Sequence, residues 1–232
     1  NLGQGPYYQG VMVSLYGDNL HDKHPVRSPL DSAVNYMTSK FGNIAYFQKN
    51  HDVVFLYAFK DKRQRINEDD MEKLLTIYKD KRKALTCHVG ISTIQSTSFM
   101  TINENLLNLK NFMKTVHEHS RVLEYDNLGV FKMFQNIDNI EELYSYVPDD
   151  ILALAKDKPE YALTFSRFLN NNQNYVKTAH ELFVHPKTVR YRINKIVDGL
   201  NLSLDDTDLL LSIQIGLKIC EYTKLIAIEN RA

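Results

Sequence analysis

Hydrophobic and polar positions follow two different periods along the first half of the chain. Five segments are rich in β-branched and aromatic residues and are bounded by turn residues, which predicts strands at 8–16, 44–47, 53–59, 85–94 and 121–125. Apolar residues at helical spacing predict helices at 28–40, 67–83 and 102–118, the first opened by Ser28 and Pro29. This order predicts an antiparallel-rich sheet covered by helices, an α/β sandwich.

Beyond Phe134 the strand pattern disappears, and every periodic segment to the end is helical. The change predicts a boundary near 136–139, with an α/β domain over 1–136 and an all-α domain over 137–232. The fold class is therefore α+β. Predicted helices of the second domain begin at Pro159, cover 175–183, begin again at Pro186 and end with 204–222.

The helix that begins at Pro186 has two distinct sides. Proline suits the first helical turn, and it drives His185 out of helical conformation, so the preceding connection is tight. Apolar residues at i, i+4 and i+7 predict an inward stripe of Val189, Ile193 and Ile196. The helix before the turn is predicted to bury Val176, Ala179 and Leu182.

The outward side of the Pro186 helix is cationic. Its four cations lie within nine residues that contain no acid, although the whole chain has 28 basic and 28 acidic residues and no net charge. A tight turn followed by a helix with a basic outer face is the geometry that enters the DNA major groove. The candidate DNA contacts are His185, Lys187, Thr188, Arg190, Tyr191, Arg192, Asn194 and Lys195.

Several of these residues have a second interpretation. Arg192 borders the inward stripe, so it either contacts DNA or braces the helix through a carboxylate such as Glu181. Tyr191 either packs or contacts DNA, and His185 is favoured as a helix cap. The last helix is apolar almost all round, so it either completes the core of the all-α domain or also forms a dimer contact.

Composition and motifs exclude several classes of protein. Cys87 and Cys220 are too few for a disulfide framework, which favours a reducing, cytoplasmic location. No apolar segment reaches the length of a membrane helix. No nucleotide-binding or nucleophile motif is present, so neither an enzyme nor a cofactor is expected. The histidine pairs His21/His24 and His117/His119 lack accompanying acids or cysteines, so no metal site is expected. The first residue is not methionine, which indicates a piece of a longer or processed chain and leaves room for an upstream sensory domain.

The segment 168–196 resembles the carboxyl-terminal domain of the PucR/CdaR regulators of purine and sugar-diacid catabolism. Their motif runs approximately tA..L.vH.nTl.YRl.ki, and the matching residues are Ala179, Leu182, His185, Thr188, Tyr191, Arg192 and Ile196. Lys187 stands where that family commonly has asparagine. The resemblance therefore does not imply that this chain recognises the same operator sequence as the family. The resemblance implies a Fis-like helix-turn-helix closed by the last helix.

The first domain is similar, mainly in element order, to the degenerate GGDEF-like domain that these regulators carry. An active cyclase has glycines and paired acids in the hairpin, and here the hairpin is 48–52, without either. Asp18 stands where a cyclase keeps a metal ligand. Without a second acid in the hairpin, it is expected to stabilise a turn instead. The resemblance implies a sensory or dimerising domain rather than a cyclase.

The expected function is sequence-specific binding of double-stranded DNA by a homodimeric, cytoplasmic transcription regulator of a catabolic operon. A small-molecule effector is expected and is not identified by the sequence. The alternative is a nucleotide- or metabolite-binding signalling protein that acts through the first domain.

Overall fold

The computed structural model describes residues 5–17, 30–42, 44–81, 85–116, 119–134, 137 and 139–226. The chain packs as two compact units, 1–129 and 130–232. This division lies earlier than the boundary expected near 136–139. The reason is that Val130, Phe131 and Phe134 already pack in the apolar core of the second, helical unit.

The first unit contains a five-stranded sheet in the order β2-β3-β1-β4-β5. Its strands are β1 (Tyr7–Tyr16), β2 (Ile44–Lys49), β3 (Asp52–Phe59), β4 (Thr86–Ile91) and β5 (Arg121–Glu124). β1 pairs antiparallel with β3 and β4, β2 pairs antiparallel with β3, and β4 pairs parallel with β5. The predicted antiparallel-rich sheet is confirmed.

Helices cover both faces of this sheet. They are α1 (Asp31–Lys40), α2 (Glu68–Lys81) and α3 (Phe99–Val116). Successive strand residues face opposite sides, so Val11 and Val13 of β1 pack with α1 and α2, whereas Met12 packs against Ile102 and Leu106 of α3. This arrangement confirms the α/β sandwich. Ser28, Pro29 and Asp18 lie outside the described residues.

The second unit is helical throughout its described residues, as predicted. Its helices are α4 (Ile140–Tyr144), α5 (Asp149–Asp157), α6 (Pro159–Asn170), α7 (Tyr175–Glu181), α8 (Pro186–Leu200) and α9 (Thr207–Tyr222). Phe165, Phe168 and Ile193 lie at the centre of its core, each no more than 1% exposed. None of the helices described in either unit is long and apolar enough to cross a bilayer.

Helix α9 is buried on one side and partly exposed on the other. Ile213, Leu217 and Cys220 are each at most 1% exposed, but Leu211 is 56% exposed. The bundle core therefore explains one face of this apolar helix and leaves Leu211 in contact with solvent.

Both cysteine side chains are buried and chemically quiet. Burial raises the pKa of Cys87 to about 12. Burial, with the charge of Glu221 beside it, raises the pKa of Cys220 to about 11. Because the thiolate is the nucleophilic form, neither sulfur is reactive near neutral pH.

Candidate nucleic-acid interface

A tight turn joins helices α7 and α8. Asn174 caps the start of α7, where its side chain accepts a hydrogen bond from the Lys177 N–H at 2.9 Å. At the other end Phe183 takes a left-handed conformation with φ 52, and the Val184 N–H donates to the Ala179 carbonyl at 3.0 Å. A left-handed residue of this kind ends a helix and turns the chain away from its axis. The chain then enters α8 within three residues.

His185 caps the start of α8. Its backbone is extended, with φ −74 and ψ 143, and its Nδ1 accepts a hydrogen bond from the Lys187 N–H at 3.1 Å. Pro186 follows as the first helical residue, where a missing N–H costs no hydrogen bond. The cap favoured from the sequence is confirmed.

Replacing His185 with alanine is expected to lower the free energy of unfolding of the helical unit by about 1 kcal/mol, because the Lys187 N–H loses its partner. His185→Asn supplies another cap acceptor and is expected to keep most of that stability. Urea denaturation of the two variants measures the difference. Equal losses in both variants would show that the histidine does not act as a cap.

The two sides of α8 differ as the sequence predicts. Val189, Ile193 and Ile196 are at most 2% exposed and pack in the core of the helical unit. The opposite side presents five exposed candidate contacts, and these are Lys187, Arg190, Tyr191, Asn194 and Lys195. Thr188 is half-buried between the two sides.

Aromatic rings hold two of the outward cations. The Arg190 guanidinium lies 5.0 Å from the centroid of the Tyr175 ring at the start of α7, and that ring packs on Phe168 at 4.7 Å. The Lys195 ammonium lies 6.0 Å from the Tyr191 ring. Within the described residues, neither Arg190 nor Lys195 forms an ion pair with an acid. Both charges are therefore available to a polyanion.

Arg192 braces the unit instead of pointing outward. It pairs with Glu160 at 3.2 Å, donates to the Thr164 hydroxyl at 3.0 Å, and its side chain is 20% exposed. The suggested partner Glu181 was wrong, because Arg192 lies on the side of α8 that faces α6. Glu181 pairs with Arg167 at 3.0 Å.

A buried ionic network, which the residue pattern did not predict, links three helices. Arg167 of α6 contacts both Glu181 of α7 and Glu221 of α9, the latter at 3.4 Å. Glu221 is 1% exposed and also accepts hydrogen bonds from Ser166 at 2.5 Å and Lys218 at 2.7 Å. A signal was present, since Arg167 stands inside the apolar stripe between Phe165 and Phe168, where a charge needs partners.

The prediction that Val176 is buried was wrong. Tyr175, the first residue of α7, occupies the core-facing position and packs on Phe168. Successive helical residues point about 100° apart, so Val176 turns outward and is 68% exposed. Ala179 is buried as predicted, and Leu182 is half-buried.

The histidine pairs give no metal site in the described part of the chain. His21, His24 and His117 lie outside the described residues, and His119 is exposed. No group of three His, Cys, Asp or Glu side chains that could hold a metal occurs among the residues that were described.

Comparison with protein families identifies the helical unit. Residues 161–219 match the family model described as the PucR C-terminal helix-turn-helix domain. The match begins within α6, ends within α9 and contains the whole of α7, the turn and α8. Residues 161–219 are therefore similar to the helix-turn-helix domain of the PucR regulators. Phe183 and Lys187 of this chain both lie inside the matched segment.

Two relatives extend the comparison beyond this segment. The chain is 24% identical over 162 residues to the proline-responsive transcriptional activator PutR of Bacillus subtilis (strain 168). The match covers 66% of this chain and 39% of PutR, so the chain spans well under half of that relative. The crystal structure of a regulator of polyketide synthase expression from Bifidobacterium adolescentis is 17% identical, covers 94% of this chain and 82% of its own, and has a TM-score of 0.35.

Proposed function

We propose that α8 binds double-stranded DNA and that the protein is a sequence-specific transcription regulator. The observation that carries this proposal is the exposed side of α8, where Lys187, Arg190 and Lys195 stand with no acidic partner in the described part of the chain. An exposed basic helix that follows a tight turn fits the major groove, which is wide enough to admit an α-helix.

The side chains on this face divide into two kinds of contact. Arginine reads guanine through two hydrogen bonds and asparagine reads adenine in the same way, so Arg190 and Asn194 are the proposed base readers. Lys187 and Lys195 carry point charges suited to phosphates. Tyr175 holds the Arg190 guanidinium in place before DNA arrives, which lowers the entropy cost of ordering it.

Arg192 and His185 have a positioning role in this proposal. The Arg192 salt bridge to Glu160 fixes the rotation of α8 against α6, and the His185 cap fixes its first turn. Both residues are among the DNA contacts predicted from the sequence. The Arg192 side chain is only 20% exposed, which supports a positioning role for it and not a direct contact with DNA.

The finer function is proposed by analogy with the PucR-type regulators and with PutR. PutR is named as an activator that responds to proline, which supports a metabolite-responsive regulator, and the PucR/CdaR resemblance suggests a catabolic operon. The protein would act in the cytoplasm as a homodimer on two half-sites about 34 Å apart or a multiple of that. The first unit would bind the effector or form the dimer.

A nucleotide-handling role of the first unit is the second candidate, and one contact weighs against catalysis. Asp52 borders the hairpin where a cyclase carries paired acids, and its carboxylate forms a salt bridge with Lys110 of α3 at 2.5 Å. That acid is already engaged by a cation. Incubation with GTP and Mg²⁺ is expected to give no cyclic product.

The double variant Arg190→Ala/Lys195→Ala tests the DNA-binding proposal. Fluorescence anisotropy with a labelled duplex from upstream of its own gene is expected to show an approximately hundredfold loss of affinity, about 1.4 kcal/mol for each removed contact. The matched control is Arg63→Ala/Lys73→Ala, which removes the same two charges from exposed positions of the first unit. Unchanged affinity in the first double variant would remove α8 as the DNA-binding element.

A further inference from the structure

A groove of about 450 Å³ lies in the helical unit between α5, the start of α6 and the last turns of α8. Its apolar lining includes Leu154 and Ile196, and two tyrosines, Tyr161 and Tyr191, supply aromatic surface. Pockets that hold small molecules have volumes of roughly 300–1,000 Å³ and are mostly apolar with a few polar groups. The groove therefore has the size of a small-molecule site rather than of a macromolecular interface.

The groove is open because α8 carries a glycine on the face that lines it. Tyr191, Lys195 and Gly199 follow one another at a spacing of four residues, so they share one face of the helix. Gly199 has no side chain, and a Cβ placed on it would meet no other atom within 4 Å. The space over Gly199 is therefore open, although glycine within a helix is less stable than alanine.

The charge of the groove is positive. Lys158 and Lys195 both line it, and their ammonium groups lie 5.8 Å from the Tyr161 ring and 6.0 Å from the Tyr191 ring. Neither lysine forms an ion pair in the part of the chain that the structure describes. The neighbouring acid Glu160 is engaged by Arg192.

We propose that this groove binds a small aromatic carboxylate. The two lysines would pair with the carboxylate, and the tyrosine rings and apolar side chains would contact the aromatic body. A fully polar anion would leave the apolar lining without contacts, and a neutral aromatic molecule would leave the two ammonium groups without a partner.

The site would also couple ligand to DNA, a step that rests on the proposed function. Tyr191 and Lys195 belong both to the groove and to the outer face of α8. A carboxylate paired with Lys195 occupies a charge that a DNA phosphate would otherwise use. Ligand and DNA would therefore bind in competition.

Isothermal titration calorimetry of the full chain with 2-naphthoate tests the site without DNA. We expect saturable binding of one 2-naphthoate, at least tenfold weaker binding of the neutral 2-naphthamide, and about tenfold weaker binding of naphthoate by Lys158→Ala. Gly199→Leu fills the groove and is expected to abolish binding. Ala153→Leu, an exposed position of α5 that does not line the groove, is the matched control and keeps binding.

Four results of this titration would overturn the site. They are no binding of 2-naphthoate by the unaltered protein, equal binding of the amide, unchanged binding in Lys158→Ala, or retained binding in Gly199→Leu. Circular dichroism of each variant checks that the helices are intact. A leucine is expected to be tolerated, because it has a higher helix propensity than glycine.

The competition is tested separately by anisotropy. Saturating 2-naphthoate is expected to weaken DNA binding of the unaltered protein at least tenfold and to leave Gly199→Leu unaffected. Equal DNA affinity with and without naphthoate would overturn the coupling, even where calorimetry shows the site. If no DNA binds at all, the proposed function fails while calorimetry still decides the groove.

Discussion

Arg167→Leu is expected to lower the free energy of unfolding of the helical unit by about 3–5 kcal/mol, since it removes one partner from a buried ionic network. Glu221 is 1% exposed, and the leucine would take away the guanidinium 3.4 Å from its carboxylate. Glu181 would also lose its 3.0 Å contact, which ties α7 to α6. The cost is large because a carboxylate inside the unit cannot regain water.

Hydrogen exchange of the α6 and α9 amides, followed during urea denaturation, measures this loss for the helical unit alone. The matched control is Arg63→Leu in the first unit, whose partner Asp61 forms an exposed pair at 2.6 Å. Such exposed pairs contribute little to stability, because water screens the two charges. Similar small effects for both substitutions would show that Ser166 and Lys218 alone satisfy Glu221.

Phe165→Ala is the second substitution for which we expect a large effect. It should lower the free energy of unfolding of the helical unit by about 3–5 kcal/mol. Phe165 is fully buried in the helical core. Truncation removes the apolar contacts of the ring and leaves a cavity that the surrounding helices close only in part. Urea denaturation reports the change.

Phe183 provides a matched control for the same substitution. Its ring is 81% exposed and its backbone is left-handed, with φ 52. Phe183→Ala is expected to change stability by less than about 0.5 kcal/mol, as exposed substitutions usually do. Phe183→Gly is expected to stabilise the unit by about 1 kcal/mol, because glycine adopts this conformation without steric cost. A large loss for Phe183→Ala would contradict its placement outside the core.

Periodicity was sufficient for the first unit because its elements are regular. Val11, Val13 and Met12 show how a period of two places neighbours on opposite faces of one strand, and the sandwich follows from that alternation. Short elements were harder to predict from the sequence. The five residues of α4 span little more than one turn, so no helical period can develop. Two short 3-10 turns within Tyr125–Phe134, separated by the non-helical Gly129, carry the chain across the unit boundary, and the sequence predicted that boundary later.

The candidate site was predictable where it depends on one helix and not where it depends on pairing between helices. The inward stripe of α8 follows from spacing alone, and the structure confirms it at Val189, Ile193 and Ile196. The partner of Arg192 is Glu160, thirty-two positions away in sequence, and only the packing of α6 on α8 selects it over Glu181. The groove beside Gly199 likewise depends on the approach of α5 and α6.

Site-specific photo-crosslinking tests most directly whether α8 meets DNA. The buried thiols of Cys87 and Cys220 are unreactive near neutral pH, so an introduced exposed cysteine can be labelled selectively. Asn194→Cys places an azidophenacyl label on the outer face of α8. Ser212→Cys places the same label on an exposed position of a different helix, α9.

After irradiation with a bound promoter duplex, the label at 194 is expected to form a DNA adduct and the label at 212 is expected to form little or none. Specific competitor DNA should abolish the adduct at 194. Adducts at 212 but none at 194, under conditions where the duplex is bound, would contradict DNA recognition by the outer face of α8.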